Sequence, residues 1–161
     1  MTARTVIYDT GMLLAMLRGD AVALTLHHGL RSAPHRPIVI GPVLARAWRP
    51  DPKTVHAFSG YLKDCTVSQT RGAASPMQGK VAARAGCVAC AKTSTLDSCK
   101  RAGAMLAKAV LPGKKGPDAV DALVVVTAAL HVPAQILTSD SDDLAAYAAT
   151  LRHADITIER I

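Results

Sequence analysis

The chain has 161 residues, half of them hydrophobic and only 3% aromatic, with a formal net charge of +7. This length suits one domain with a proper core, built mainly from Ala, Val, Leu and Ile. No apolar segment reaches the length of a membrane span, and no secretory signal precedes the first predicted strand, so we expect a cytoplasmic protein without a membrane partner.

Strand and helix patterns alternate along the chain and predict an α/β fold with a central parallel sheet between helices. The predicted strands are residues 4–8, 38–40, 65–67, 134–138 and 156–158. Four helices are predicted with both bounds, at residues 11–18, 21–30, 96–110 and 142–151. Three more are predicted by where they begin, at Gly41 and Pro42, at Pro52 and at about Pro117. We treat residues 69–95 as a basic, cysteine-containing insertion in a single domain of residues 1–161.

Two of the predicted helices show an apolar face. On the helix from Pro52 the predicted face is Val55, Phe58, Ser59 and Leu62. On helix 96–110 the predicted face is Leu96, Cys99, Gly103, Leu106 and Val110. Both faces are expected to pack against the rest of the domain.

Aspartates stand where predicted strands end and where a predicted helix begins. Asp9 and Asp140 each follow a strand, while Asp118 and Asp121 lie three residues apart in the first turn of one helix. Because ligands of open parallel sheets bind outside the carboxyl ends of the strands, we expect these acids to be neighbours. Helix capping explains Asp9, Asp140 and Asp142 when each is taken singly, but an acidic cluster would favour a hard divalent cation such as magnesium.

Four segments in this order resemble the PIN-domain family of metal-dependent nucleases, which includes VapC-type toxins of toxin-antitoxin pairs. They are Val-Ile-Tyr-Asp-Thr-Gly-Met-Leu-Leu-Ala-Met-Leu (6–17), Val-Leu-Ala-Arg-Ala-Trp-Arg (43–49), Asp-Ala-Val-Asp-Ala-Leu-Val-Val (118–125) and Ile-Leu-Thr-Ser-Asp-Ser-Asp-Asp-Leu (136–144). The resemblance implies a three-layer α/β/α fold with Mg²⁺ or Mn²⁺ as cofactor. It also implies Asp9, Asp121 and Asp140 as catalytic metal ligands, with Asp118 and Asp142 in support.

The resemblance further implies an endoribonuclease that hydrolyses RNA phosphodiesters. For a toxin of this type it implies a homodimer and a small antitoxin protein that covers the acidic site. The competing hypothesis is a degenerate PIN module that binds RNA or a protein partner without cutting. Asp143 is interpreted as a surface or supporting residue, and Thr138 and Ser139 either add hydroxyl contacts or simply end the strand.

Arg46 departs from the family pattern, because it occupies the position of the family's second acid, normally a glutamate. The only glutamate in the chain is Glu159, so no neighbouring glutamate replaces it. If Arg46 points into the cluster, it pairs with Asp9 or Asp121, replaces the charge of the metal and leaves a phosphate-binding site that is weakly active or inactive. If it points away, the aspartates remain free to hold one ion.

The insertion and the residues after it suggest two further sites. Cys87 and Cys90, with Cys99 and Cys65 available, have a spacing used by zinc sites and by redox disulfides, although small buried thiols are the simpler interpretation. Residues 71–115 carry nine Lys or Arg against one acid, Asp97. This segment is the candidate RNA face, with salt-sensitive contacts to phosphates.

Overall fold

A five-stranded parallel sheet forms the centre of the fold. The computed structural model describes residues 4–67, 95–113 and 115–161 of the chain. The strands within these ranges are β1 (Thr5–Tyr8), β2 (Ile38–Val39), β3 (Thr66–Val67), β4 (Ala134–Thr138) and β5 (Ile156–Arg160). They lie in the order β3, β2, β1, β4, β5, and each neighbouring pair is parallel. The predicted parallel sheet is confirmed, with β1 at its centre.

Helices connect the strands and complete a three-layer α/β/α arrangement. The α-helices of the described ranges are α1 (Thr10–Arg18), α2 (Ala21–Leu30), α3 (Gly41–Ala47), α4 (Pro52–Tyr61), α5 (Leu96–Lys108), α6 (Ala119–Leu130) and α7 (Ser141–Ala148). Parallel strands need crossover connections, since each strand must begin again at the same end of the sheet. The predicted fold class is therefore confirmed. None of the helices in the described ranges has the combined length and apolar character that crossing a membrane requires.

Helix α6 fixes the position of one side of the functional site. It packs on β1 and β4 and also contacts α5 and α7. Its buried residues are Ala122, Val124, Val125, Val126, Thr127 and Ala128. Valine is a modest helix former, but burying each of the three valine side chains contributes about 1.5–3 kcal/mol, which outweighs the propensity difference. The N-terminus of α6 is thereby held at the carboxyl end of the sheet.

The core is less purely aliphatic than the composition suggests. Besides Val, Leu, Ile and Ala, its fully buried side chains include Tyr8, Met12, Met16, Phe58 and Tyr147. Three of the five aromatic residues, Tyr8, Phe58 and Tyr147, are thus fully buried and supply large side chains to the core, whereas Trp48 is 39% exposed.

The buried face of α5 differs from the predicted one. The predicted face was Leu96, Cys99, Gly103, Leu106 and Val110. Leu96 is 71% exposed and Val110 is 88% exposed, whereas Ser98, Ala102 and Met105 are buried. Small side chains at 98 and 102 allow α5 to pack closely on α6, and this close approach decides which face is buried. The prediction of this face was wrong except at Leu106, which is partly buried against the core.

The apolar face of α4 was also predicted incorrectly in part. Phe58 is buried as expected, but its buried companion is Thr54. Val55 is 39% exposed, and Ser59 is exposed as well. Thr54 is tolerated inside because its amide and hydroxyl both donate to the carboxylate of Asp51, which caps the helix.

Candidate functional site

The carboxyl ends of β1 and β4 lie side by side and bring Asp9 close to the loop that carries Asp140. Tyr8 pairs with Leu137 across the two strands. The Thr138 hydroxyl donates to Oδ2 of Asp9 at 2.7 Å and accepts from the Asp140 amide at 2.9 Å. Thr138 is fully buried, and both of these hydrogen bonds of its hydroxyl are made inside the protein. It fixes one aspartate and the loop of the other relative to each other.

Asp9 combines helix capping with a position in the site. Its Oδ1 accepts from the Met12 amide at 2.8 Å and caps α1. Only 6% of the residue is exposed. Burial raises the pKa of this carboxyl group, and the hydrogen bonds from Thr138 and the Met12 amide oppose the increase. The capping interpretation of Asp9 is therefore confirmed together with its location beside the other acids.

The start of α6 contributes two further acids. Asp118 is the N-cap residue, and its Oδ1 accepts from the Val120 amide at 2.8 Å. Its own amide donates to the Tyr147 hydroxyl at 2.8 Å, which ties the cap to α7. Asp121 lies in the first turn and is 21% exposed at its side chain. Burial, followed by the charge of Asp118, raises the pKa of Asp121 to about 6.

The start of α7 repeats the pattern of α6, with an aspartate at the N-cap and another three residues later. Asp140 holds the N-cap position without a side-chain capping bond and is 56% exposed at its side chain. Asp143, three residues on, lines the same cleft and is 15% exposed. Asp142, predicted as a supporting ligand, is exposed and lies outside the cleft lining. The third residue of the helix, not the second, faces back toward the cap, and a supporting metal-ligand role of Asp142 stays a prediction.

Arg46 points into the acidic cluster, as the first of its two interpretations requires. Its Nη1 lies 2.5 Å from Oδ2 of Asp118 and 3.8 Å from Oδ1 of Asp121. Asp118 is thus its nearer partner, in place of the predicted Asp9. The charge of Arg46 lowers the pKa of Asp121, although burial and Asp118 have the larger opposite effect.

Lys115 makes the corresponding contacts at the start of α7, and sequence reasoning did not single it out. Its Nζ lies 2.5 Å from Oδ2 of Asp140 and 3.2 Å from Oδ2 of Asp143. The hydrogen bond from Lys115 lowers the pKa of Asp140, and the same bond raises the pKa of Lys115. Only the repeated Asp-x-x-Asp spacing signals these residues in the sequence, and it signals Asp143 rather than Lys115.

These residues surround one open cleft with a volume of about 380 Å³. Its lining consists of five aspartates, two cations and a few small residues: Asp9, Thr10, Gly11, Arg46, Lys115, Gly116, Asp118, Asp121, Ser139, Asp140 and Asp143. Within the described ranges, no three His, Cys, Asp or Glu side chains are grouped so that they could hold one metal ion as they stand.

The chemistry of the cleft nevertheless fits a hard divalent cation. Its donors are carboxylate and hydroxyl oxygens, which Mg²⁺ and Mn²⁺ prefer. Oδ1 of Asp143 and Oγ1 of Thr10 are buried at the cleft and have no hydrogen-bond partner in the part of the chain that the structure describes. Buried polar atoms are normally satisfied, so two unsatisfied oxygens beside one cleft are consistent with a ligand or water there.

Gly11 allows the two halves of the site to approach each other. A Cβ at this position would lie 2.3 Å from Oγ and 2.8 Å from the amide nitrogen of Ser139. The start of α1 therefore touches the loop between β4 and α7, and this contact is compatible only with a hydrogen at position 11. The sequence shows the glycine but not its neighbour, so its role was not predicted.

The predicted cysteine site falls largely outside the described residues, because Cys87 and Cys90 belong to residues 68–94. Cys65 is buried, and burial raises the pKa of its thiol to about 12, in keeping with a core thiol. Cys99 is exposed on α5. A zinc or redox function of these cysteines stays a prediction.

The predicted basic face is also described only in part. Lys100, Arg101, Lys108 and Lys115 lie in the described ranges, and the other basic residues of segment 71–115 do not. Arg101 pairs with Asp97 at 2.8 Å, and Lys115 belongs to the cleft. A role of this segment in RNA binding therefore stays a prediction.

Comparison with known proteins adds no family assignment. No protein-family model matches the chain, and no curated protein sequence matches it either.

Proposed function

We propose that this protein is a divalent-metal-dependent phosphodiesterase of the PIN-domain type that acts on RNA. The observation that carries the proposal is the convergence of five aspartates, from two strand ends and two helix starts, in one cleft with buried unsatisfied oxygens. The resemblance of the sequence and the net charge of +7 support RNA as the substrate. Mg²⁺ or Mn²⁺ is the proposed cofactor.

The proposed ligand residues differ in mobility and charge. Asp9 is held on both oxygens, by Thr138 and by the Met12 amide, and would present its remaining lone pairs in a fixed direction. Asp140 is half exposed and able to reorient. A bound divalent ion would supply an activated water and neutralise charge on the attacked phosphate. Burial and the charge of Asp118 raise the pKa of Asp121, and a divalent ion beside it would favour the charged carboxylate that serves as a ligand.

Manganese titration by calorimetry, on protein freed of metal with a chelator, tests the proposal. We expect the parent protein to bind Mn²⁺. The Asp121→Asn, Asp140→Asn double variant should bind Mn²⁺ at least about tenfold more weakly, because a neutral amide attracts the cation much less strongly than a carboxylate does. Asp97→Asn, an acid in the first turn of α5, is the matched control and should bind as the parent does. Absence of binding in the parent would contradict the proposal.

Single substitutions of the two adjacent acids of α7, Asp142 and Asp143, test which of them belongs to the site. Asp143→Asn should weaken Mn²⁺ binding, because Asp143 lines the cleft with a buried unsatisfied oxygen. Asp142→Asn should have a clearly smaller effect, because Asp142 is exposed outside it. The opposite order of effects would support the ligand set that the sequence alone suggests.

The ion pairs of Arg46 favour a second candidate function, a degenerate module that binds RNA or a protein without cutting it. Arg46 contacts two of the proposed ligand acids at the position of the family's glutamate. Restoring an acid with Arg46→Glu should raise both Mn²⁺ affinity and RNA cleavage if the site is impaired only by this residue. Cleavage by the parent, abolished in Asp9→Asn, would exclude the non-catalytic alternative.

We extend the proposal to a toxin of the VapC type that forms a homodimer and is inhibited by a small antitoxin protein. The resemblance alone supports this extension. Induced expression of the parent should arrest bacterial growth, whereas the Asp121→Asn, Asp140→Asn double variant should not. Light scattering of the purified protein should give the mass of a dimer. If cells grow normally although the expressed protein binds metal and cleaves RNA, the protein is a ribonuclease but not a toxin, and only this extension is contradicted.

A further inference from the structure

The acids of the cleft fall into two equivalent pairs, and one basic side chain bridges each pair. Arg46 contacts Asp118 and Asp121, the N-cap and third residue of α6. Lys115 contacts Asp140 and Asp143, the corresponding residues of α7. The two cations come from different parts of the chain, α3 and the turn before α6. Asp9 is the cleft acid outside both pairs, and its oxygens bond to Thr138 and the Met12 amide.

We propose that Lys115, together with Arg46, is a phosphate-binding residue that is released from the carboxylates when a divalent cation binds. In this arrangement the basic side chains neutralise the acids of the metal-free cleft. Once the metal takes over the carboxylate oxygens, the freed ammonium and guanidinium groups contact phosphate oxygens of the RNA backbone. This inference rests on the proposed function, because it needs a metal and a phosphodiester at the same cleft.

The exposure of the side chains supports such an exchange. Lys115 is 51% exposed and Arg46 is 46% exposed, whereas Asp121 and Asp143 are 21% and 15% exposed. The cations therefore stand at the mouth of the cleft together with Asp140, which is 56% exposed, and Asp121 and Asp143 lie deeper. Half-exposed ion pairs exchange partners readily, since water replaces each lost contact at little free-energy cost. Both long side chains can turn outward without moving the backbone.

The charge of the cleft gives the exchange a direction. Two cations face five carboxylates, so the metal-free cleft is negative and repels a phosphate. A divalent ion reduces this negative charge and competes with the basic groups for the same oxygens. Metal and RNA phosphate should therefore strengthen each other's binding, and thermodynamic linkage requires the two effects to be equal.

Substitution of Lys115 separates this mechanism from simple surface attraction, because it should change metal and RNA binding in opposite directions. We expect Lys115→Gln to raise Mn²⁺ affinity about threefold to tenfold in the absence of RNA, since a competing charge is removed. In fluorescence anisotropy with a short labelled single-stranded RNA, checked on a gel for integrity, the same variant should lose most of the affinity gain that Mn²⁺ gives the parent. Lys115→Arg should retain that gain.

Lys108→Gln is the matched control, because Lys108 is exposed near Ala129 at the far end of α6. It should leave Mn²⁺ affinity unchanged and weaken RNA binding equally with and without metal. Unchanged or lower Mn²⁺ affinity in Lys115→Gln, with a parent that binds Mn²⁺, would overturn the inference alone. So would an equal loss of RNA binding with and without metal. A parent that binds no Mn²⁺ would overturn the proposed function and this inference with it.

Discussion

Asp121 is a carboxyl group that the fold keeps in an unfavourable position. Its side chain is largely buried, its neighbours include Asp118, Asp9 and Asp143, and its pKa is raised from 3.8 to about 6. Between these two values the folded protein binds more protons than the unfolded chain, so stability falls as the pH rises through this window. The loss persists above pH 6 and amounts to about 3 kcal/mol for this shift.

We therefore expect Asp121→Asn to stabilise the metal-free protein at neutral pH. Removing the charge of Asp121 recovers the lost stability, but it also removes a favourable interaction of the carboxylate with the helix dipole. The net gain in the free energy of unfolding should be about 1–2 kcal/mol at pH 7.5. At pH 3.5 the variant and the parent should be nearly equal. Urea unfolding in the presence of a chelator measures both. Asp97→Asn, at an exposed first-turn position, should show no such gain, and a destabilised Asp121→Asn at pH 7.5 would contradict the argument.

Gly11 allows a second prediction at the scale of single residues. Gly11→Ala places a methyl group against the backbone of Ser139, which cannot move without disturbing Asp140. We expect a loss of about 1–3 kcal/mol in the free energy of unfolding and weaker Mn²⁺ binding. Gly29→Ala is the control, because Gly29 lies in α2 and an added Cβ there meets, beyond the helix backbone and the adjoining residues, no atom of the described residues within 4 Å. It should stabilise the protein by about 0.5–1 kcal/mol through helix propensity.

At the scale of elements, the helices of the site begin with the same aspartates that line the cleft. Asp118 accepts the Val120 amide as the cap of α6 and also pairs with Arg46. Asparagine is an equally good cap without the charge. Asp118→Ala should therefore lower stability by about 1 kcal/mol, whereas Asp118→Asn should lower it by less. Both variants should weaken Mn²⁺ binding similarly in calorimetry, and equal stability of the two variants would mean that the cap contributes little.

The elements themselves were largely predictable, and the contacts between them were not. Strand 134–138 and helix 21–30 have the predicted bounds, because local patterns of apolar and capping residues determine them. The buried face of α5 depends instead on how closely α6 approaches it. The acids were found because strand ends converge in a parallel sheet. Lys115 was predicted only as part of the basic segment 71–115, and its place in the cleft was not, because its partners depend on the path of the turn before α6, which no local pattern specifies.

At the scale of the whole molecule, the stability of the fold and the occupancy of the cleft should be linked. The cleft joins β1, β4, α6 and α7, so a ligand there contacts elements from both ends of the sequence. A metal that binds the folded state alone stabilises it by about 2.7 kcal/mol at one hundred times its dissociation constant. For a domain of this size we expect Mn²⁺ to raise the unfolding temperature by about 5–10 °C.

Thermal unfolding followed by circular dichroism, with and without Mn²⁺, measures this linkage. The Asp121→Asn, Asp140→Asn double variant should show little or no increase, because its cleft lacks two of the proposed ligands. Lys115→Gln should show a larger increase than the parent at the same Mn²⁺ concentration, because the lysine no longer competes for Asp140 and Asp143. An equal increase in all three proteins would place the metal elsewhere on the molecule, since only a site at the cleft makes the stabilisation depend on these residues.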